Sequence, residues 1–227
     1  EVELDTEPVY NDKIVAFTRQ LGKDYEITST EVNAPTDFLG LQIQRDDNGN
    51  IELHQQSYID RLWQKFPFLS AIPDKKTPLP VDIHRFTFKR SSKQYLRIQT
   101  HYRELLGGLL YLRFSRADLV YALQLLSQLA ASPGPTAIWA MTHCLGYLNA
   151  TRKQTKIFYP SDDDKIQVVG FSDSTWATNR SSSKSLGASA IFINCNLAIA
   201  TSKEQRQIAT SSAAAELCQI FLTGKKI

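Results

Sequence analysis

Near Thr151 the hydrophobic period of the chain changes, and this constrains the fold more than any other feature. Upstream, apolar residues recur at helical spacing. From Tyr102 they fall at Leu105, Leu106, Leu109, Leu110 and Leu112, with a break near Ser115. A second helix is predicted over about 117–131, carrying Leu119, Ala122, Leu123, Leu126 and Leu129. Pro133-Gly134-Pro135 makes a sharp turn, and Pro135 suits the first turn of a third helix that runs to about 150. Three amphipathic helices joined by short connections predict a small bundle. After Thr151 the period becomes two, so the chain is predicted to be α+β.

The downstream strands are predicted at Lys156–Tyr159, Ile166–Phe171, Ala188–Ile193 and Leu197–Thr201, with a last one at Gln207–Thr210. Helix signals resume at Ser212, with Leu217, Ile220 and Phe221. At the other end, Asn11 or Asp12 can cap a helix whose apolar face would hold Ile14, Val15, Ala16, Phe17 and Leu21. Strand-like material follows over Tyr25–Thr30 and Phe38–Arg45. Asp46-Asp47-Asn48-Gly49-Asn50 carries an Asn-Gly turn signal between alternating runs, which predicts a hairpin. Ser57 is a candidate cap for a short helix with Tyr58, Ile59, Leu62 and Phe66 on its inner face. Residues 73–100 carry Pro73, Pro78 and Pro80 and are expected to be a surface crossover.

Composition bounds the function classes. With 42% hydrophobic and 22% charged residues among 227, the chain can bury a core and is not wholly disordered. Cys144, Cys195 and Cys218 are far apart, which supports neither a disulfide framework nor a zinc ribbon. No apolar run approaches the ~20 residues of a membrane span. The acidic start Glu1-Val-Glu-Leu-Asp is unlike a secretory or mitochondrial leader, so an intracellular, cytoplasmic or nuclear protein is expected. There is no initiating Met, which suggests a fragment. His54, His84, His101 and His143 share no ligand spacing, and no nucleophile-elbow, P-loop or dinucleotide fingerprint occurs.

The formal charge of +3 is a cancellation: residues 1–40 sum to −6 and residues 75–103 to +7. The basic stretch reads either as a solvated linker or as a track for phosphates. Two acids are candidates for chemistry. Asp173 ends an apolar strand, and Glu216 lies in the first turns of the last helix. A strand-end carboxylate beside a helical one can build a Mg²⁺ site for phosphodiester hydrolysis, with ions about 3.5–4 Å apart. The alternative is a solvated Asp and a Glu favoured by the helix dipole. Trp176 could stack on a nucleotide or pack beneath a loop. Asp162-Asp163-Asp164 reads as a solvated turn.

The order of motifs resembles the Pol polyprotein of copia-type LTR retrotransposons. The resemblance runs through Phe38-Leu39-Gly40 with Leu41-Gln42-Ile43, Tyr102-Arg-Glu-Leu-Leu-Gly107 with Leu110-Tyr111-Leu112, and Arg116-Ala117-Asp118 with Ala in place of Pro. It continues through Leu126-Ser127, Pro133-Gly134, Trp139, Tyr147-Leu148, Gly170-Phe171-Ser172-Asp173 with Trp176, and Ala209-Thr-Ser-Ser-Ala-Ala-Ala-Glu216-Leu. It covers about 190 of the 227 residues, collinearly.

The resemblance implies a reverse-transcriptase palm tail over 1–72, a basic linker over 73–101, thumb- or connection-like helices over 102–153 and the start of an RNase H-like domain over 154–227. It implies Asp173 and Glu216 as catalytic Mg²⁺ ligands, and contact with an RNA–DNA hybrid or other nucleic acid through Lys89, Arg90, Lys93, Arg97, Arg103, Arg116 and Trp176. The rest of a Pol polyprotein is the implied partner.

The sequence also departs from the family. The paired polymerase aspartates are absent, since Tyr10-Asn11-Asp12-Lys13 has Lys in place of the second aspartate. A third RNase H acid is expected beyond Ile227, and Ala214 replaces the first Glu of the Glu block. Ser181-Ser182-Ser183 stands where basic residues are usual, flanked by Arg180 and Lys184. The chain alone is therefore expected to be catalytically incomplete. The alternatives are a retained host binding or assembly module, and an active RNase H whose missing acid comes from elsewhere.

Overall fold

The structure, a computed structural model, describes residues 8–26, 36–81, 93–160, 165–179 and 182–227. Its fold class is α+β, as the two hydrophobic periods imply. Helix α1 (Pro8–Leu21) precedes three short strands, β1 (Thr36–Phe38), β2 (Leu41–Arg45) and β3 (Ile51–His54). Four helices follow: α2 (Gln56–Lys65), α3 (Lys93–Tyr111), α4 (Val120–Gln128) and α5 (Pro135–Ala150). The rest is β4 (Lys156–Phe158), β5 (Val168–Thr175), β6 (Leu186–Ile193), β7 (Asn196–Glu204) and α6 (Ser212–Gly224).

The first sheet is antiparallel in the order β1-β2-β3-β4. The hairpin predicted at the Asn-Gly signal is present. Gly49 takes φ +80°, and the Asp46 carboxylate accepts from the Asn48 and Asn50 amides at 2.9 and 2.8 Å. The single strand expected over Phe38–Arg45 is instead two. Leu39 and Gly40 take φ +53° and +78° between the paired residues Phe38 and Leu41, a two-residue turn whose twist suits a hairpin. The Asp37 carboxylate accepts from the Gly40 amide at 2.8 Å and holds the turn. The strand expected after Thr151 does form, but β4 pairs with β3, Leu53 opposite Lys156 and Ile51 opposite Phe158. The chain thus returns to its first sheet after building the helices.

The helices enclose one hydrophobic core. Along α3, Tyr95, Ile98, Tyr102, Leu105, Leu106 and Leu109 are buried on one helical stripe, which Leu112 continues in the 3-10 turn that follows. They meet Ile59, Trp63, Leu123, Leu126, Ile138, Met141 and Leu145 in a single cluster. Helix α3 begins at Lys93, within the expected crossover, because Tyr95 and Ile98 already lie on its buried stripe. The second predicted helix starts with a 3-10 turn, Ala117–Leu119, and becomes α-helical only from Val120. Helix α5 starts at Pro135, as predicted. The segment after Ile72 lies so close to α5 that a Cβ at Gly146 would sit 2.4 Å from the Pro73 carbonyl oxygen.

The second sheet is antiparallel in the order β5-β6-β7, with α6 on one face. Its β6–β7 turn again uses two left-handed residues, Asn194 and Cys195. Ser211 caps α6, its hydroxyl accepting from the Ala214 amide at 3.1 Å. The strand expected at Gln207–Thr210 does not form. There the chain leaves β7 for α6, and Gln205 donates two hydrogen bonds across that crossing, from its backbone and from its side chain. The Gln205 amide bonds the Ser185 carbonyl at 2.8 Å and the Gln205 side chain bonds the Ala215 carbonyl at 2.9 Å. The apolar face predicted for the first helix is solvent-exposed at Val15, Phe17 and Leu21. The expected strand at Tyr25–Thr30 and the acidic turn at 162–164 lie mostly or wholly outside the described residues.

Candidate acidic site and nucleic-acid interface

Strand β5 and helix α6 bring the two candidate acids to the same strand end, but on opposite faces of the sheet. A Cβ at Gly170 would meet Thr223 and Ile227, so Gly170, Ser172 and Ser174 face α6, and by alternation Phe171 and Asp173 face away. Asp173 is exposed at the C-terminal end of β5, opposite Ala188 in the ladder. Glu216 is half-buried in the second turn of α6 and accepts a hydrogen bond from the Ser174 amide at 3.2 Å. The two carboxylates therefore belong to the same strand end, one on each side of the backbone. Among the described residues, no group of three or more His, Cys, Asp or Glu side chains is placed to hold a metal ion. Two carboxylates are fewer ligands than a pair of Mg²⁺ ions requires, so these residues do not fit a two-metal centre unaided.

The predicted nucleic-acid contacts divide into two groups. Lys93 and Arg97 are exposed on the first turns of α3, with Arg97 5.9 Å above the Phe68 ring. Arg103 points the other way along the bundle and donates to the carbonyls of Ala130 and Ala131, both at 3.1 Å, which closes the end of α4. Arg116 is buried, 2% exposed. It makes a two-pronged pair with Asp118 at 3.0 and 2.7 Å and donates to the Thr151 carbonyl and hydroxyl. Tyr147 donates to the same Asp118 carboxylate at 2.7 Å. Arg116 thus pins the loop before α4 to the end of α5, and its donors are occupied inside the fold. Burial acts to raise the Asp118 pKa. Hydrogen bonds and charge from Arg116, with the Tyr147 hydroxyl, outweigh it and hold the carboxyl below its ordinary value.

Trp176 is half-exposed and donates its indole N–H to the Ala209 carbonyl at 2.9 Å, which ties the end of β5 to the crossing before α6. Lys89 and Arg90 lie outside the described residues. Tyr147 stands among the motifs of the family resemblance, but its contact with Asp118 and that of Thr151 with Arg116 were not legible from sequence. Their partners Arg116 and Asp118 are 29 to 35 positions away, a separation that no local pattern signals.

Comparison with known proteins agrees with the order of motifs. No family model matches. The retrovirus-related Pol polyprotein from transposon RE1 of Arabidopsis thaliana is 26% identical over 84% of this chain, and that from transposon RE2 is 27% identical over the same share. These similarities agree with the resemblance of this chain to copia-type retrotransposon Pol polyproteins. It spans 12% and 13% of the length of those two Pol polyproteins. An uncharacterized mitochondrial protein of the same plant is 28% identical over 84% of this chain and 76% of its own length. A secreted RxLR effector protein of Plasmopara viticola is 34% identical over 49% of this chain and 78% of its own length. No solved structure matches. Among the described residues no helix is long and apolar enough to cross a membrane.

Proposed function

We propose that this Pol segment spans the end of a reverse transcriptase and the opening of an RNase H domain. It engages an RNA–DNA hybrid through the backbone and 2′-hydroxyls rather than base edges. On this reading β1–β3 with α2 form a palm tail, α3–α5 are thumb- or connection-like, and the chain from residue 154, with β5–β7 and α6, is an RNase H-like unit. The observation that carries the reading is the bond from the Ser174 amide to Glu216, which ties the Glu block to the strand end holding Asp173. Of the predicted contacts among the described residues, Lys93 and Arg97 are cations left exposed on α3, open to phosphates.

With two acids the segment is catalytically incomplete, and no hydrolytic step is assigned to it. The test is a Mg²⁺- or Mn²⁺-dependent assay on a labelled RNA–DNA hybrid, with Asp173→Asn as control. Binding that weakens steeply with salt, without cleavage, is the expected result. Cleavage abolished by Asp173→Asn would show an active nuclease with its third ligand supplied elsewhere. A second reading, a retained host binding or assembly module, is favoured by one finding: the chain spans 76% of a similar mitochondrial protein, far more than of a Pol polyprotein. That module would bind without cleaving and would gain no nuclease activity when joined to the remainder of a Pol chain.

A further inference from the structure

A cleft of about 510 Å³ separates the helical core from the second sheet, running along β7 between α4 and the end of α3. Four cations line it: Arg113 after α3, Lys156 on β4, Lys203 on β7 and Lys226 after α6. No carboxylate lines it, and none of the four is ion-paired among the described residues. They come from four separate stretches of sequence, so no charge run signals them.

Their hydrogen bonds are few. Lys156 donates to the Ala198 carbonyl at 3.3 Å, and Lys226 to the hydroxyls of Thr201 at 2.6 Å and Ser189 at 3.3 Å. An ammonium has three donors, so each keeps at least one for a ligand. Burial lowers the Lys156 pKa. Burial and the neighbouring charge of Lys203 lower that of Lys226. Such a group of unpaired like charges favours an anion. The floor between them is apolar, made by Val120, Leu123 and Ala200, and the Phe114 ring stands exposed at its mouth. Cations around an apolar floor with an open aromatic face match phosphates attached to a flat, stackable body.

We infer that this cleft is a nucleoside-phosphate site, with Arg113, Lys156, Lys203 and Lys226 on the phosphates and Phe114 against the base. The ligand is either a nucleotide within a strand or a free nucleotide. The strand case rests on the Pol reading above, and the free nucleotide does not.

The test uses the full chain, 5′-fluorescein-labelled decathymidylate and, separately, ATP, each titrated at several salt concentrations. The double variant Lys203→Glu/Lys226→Glu changes two exposed residues, Arg113→Glu changes a third, and circular dichroism checks that each variant folds. Lys93→Glu/Arg97→Glu reports the α3 surface. For a strand, the cleft double variant is expected to lose about tenfold or more in affinity, with the log–log salt slope reduced by about two. Loss of ATP binding with decathymidylate unaffected supports the site with a free nucleotide as its ligand. Equal affinity and slope for both probes in wild type and cleft variants overturns the site. If the α3 variant alone then weakens decathymidylate, the hybrid-binding reading survives. Failure of both probes to bind the wild-type chain also overturns the site, and hybrid binding is read separately.

Discussion

The helical core and the unit of β5–β7 with α6 hold together by different physics. In the first, leucines and aromatics from α2 to α5 are removed from water almost completely, and buried apolar area dominates the stability. In the second, Ile191 and Ala215 are the buried apolar residues among those described, while Ser189, Gln219 and Thr223 join helix to sheet. The Gln219 amide donates to the Ala188 carbonyl at 3.0 Å and the Ser189 hydroxyl at 2.8 Å, and Ser189 and Thr223 share a 2.7 Å bond. Phe171, Leu217, Ile220 and Phe221 remain exposed. A polar seam specifies how a helix sits but contributes little net free energy per bond, about 0.5–1.5 kcal/mol. The second unit therefore leans on its neighbour, through contacts such as Gln128 with Glu204 at 3.2 Å.

This contrast can be broken by substitution, and the largest effect belongs to the ion pair of buried Arg116 with half-buried Asp118. Arg116→Ala leaves the Asp118 carboxylate and the Thr151 carbonyl without their partner. It is expected to cost about 3–5 kcal/mol in urea denaturation. A cost under about 1 kcal/mol would mean that water replaces the guanidinium.

Leu109→Ala is expected to cost about 2–5 kcal/mol because Leu109 is fully buried. Phe171→Ala, at a ring 60% exposed, is expected to change stability by about 0.5 kcal/mol or less. Equal costs would erase the distinction between the two units.

Glycines sharpen it further. A Cβ at Gly187 would lie 1.8 Å from the Gln219 side-chain oxygen, whereas one at Gly107 in α3 would meet nothing. Gly187→Ala is thus expected to cost about 1–3 kcal/mol and to speed amide hydrogen exchange in β6 and α6. Gly107→Ala is expected to stabilise α3 by up to about 1 kcal/mol.

The smallest contrast vanishes at neutral pH. Burial pushes the Cys144 thiol from 9.0 up to about 12 and also raises the Tyr102 phenol, so the folded core keeps protons that the unfolded chain releases. Stability from these groups is full below about pH 9 and falls as pH climbs toward 12. Far-UV circular dichroism melts from pH 8 to 11 are expected to decline with rising pH, less steeply in Cys144→Ala. An unchanged slope in that variant would remove the thiol from the explanation.

Several elements were legible from local pattern. The Asn-Gly hairpin, the start of α5 at Pro135 and the start of α6 at Ser212 each depend on residues within a few positions of one another. The candidate acids were legible in the same way, as a strand end and a helix start. Less legible was the turn at Leu39-Gly40, where a leucine accepts left-handed φ because Asp37 and pairing on both sides hold it. The start of α3 was hidden by basic residues that surround Tyr95 and Ile98 on its exposed sides.

Hydrophobic period and turn chemistry, which act over a handful of neighbours, determined the class of each segment and the α+β character of the chain. Long-range packing decided the rest. It made β4 the partner of β3, drew Arg116 inside to Asp118 and Thr151, and left Lys93 and Arg97 outside. The reason is that pairing and burial are settled by competition among distant surfaces for one core. A charged residue reads the same in sequence whether that competition places it in water or against a buried carboxylate.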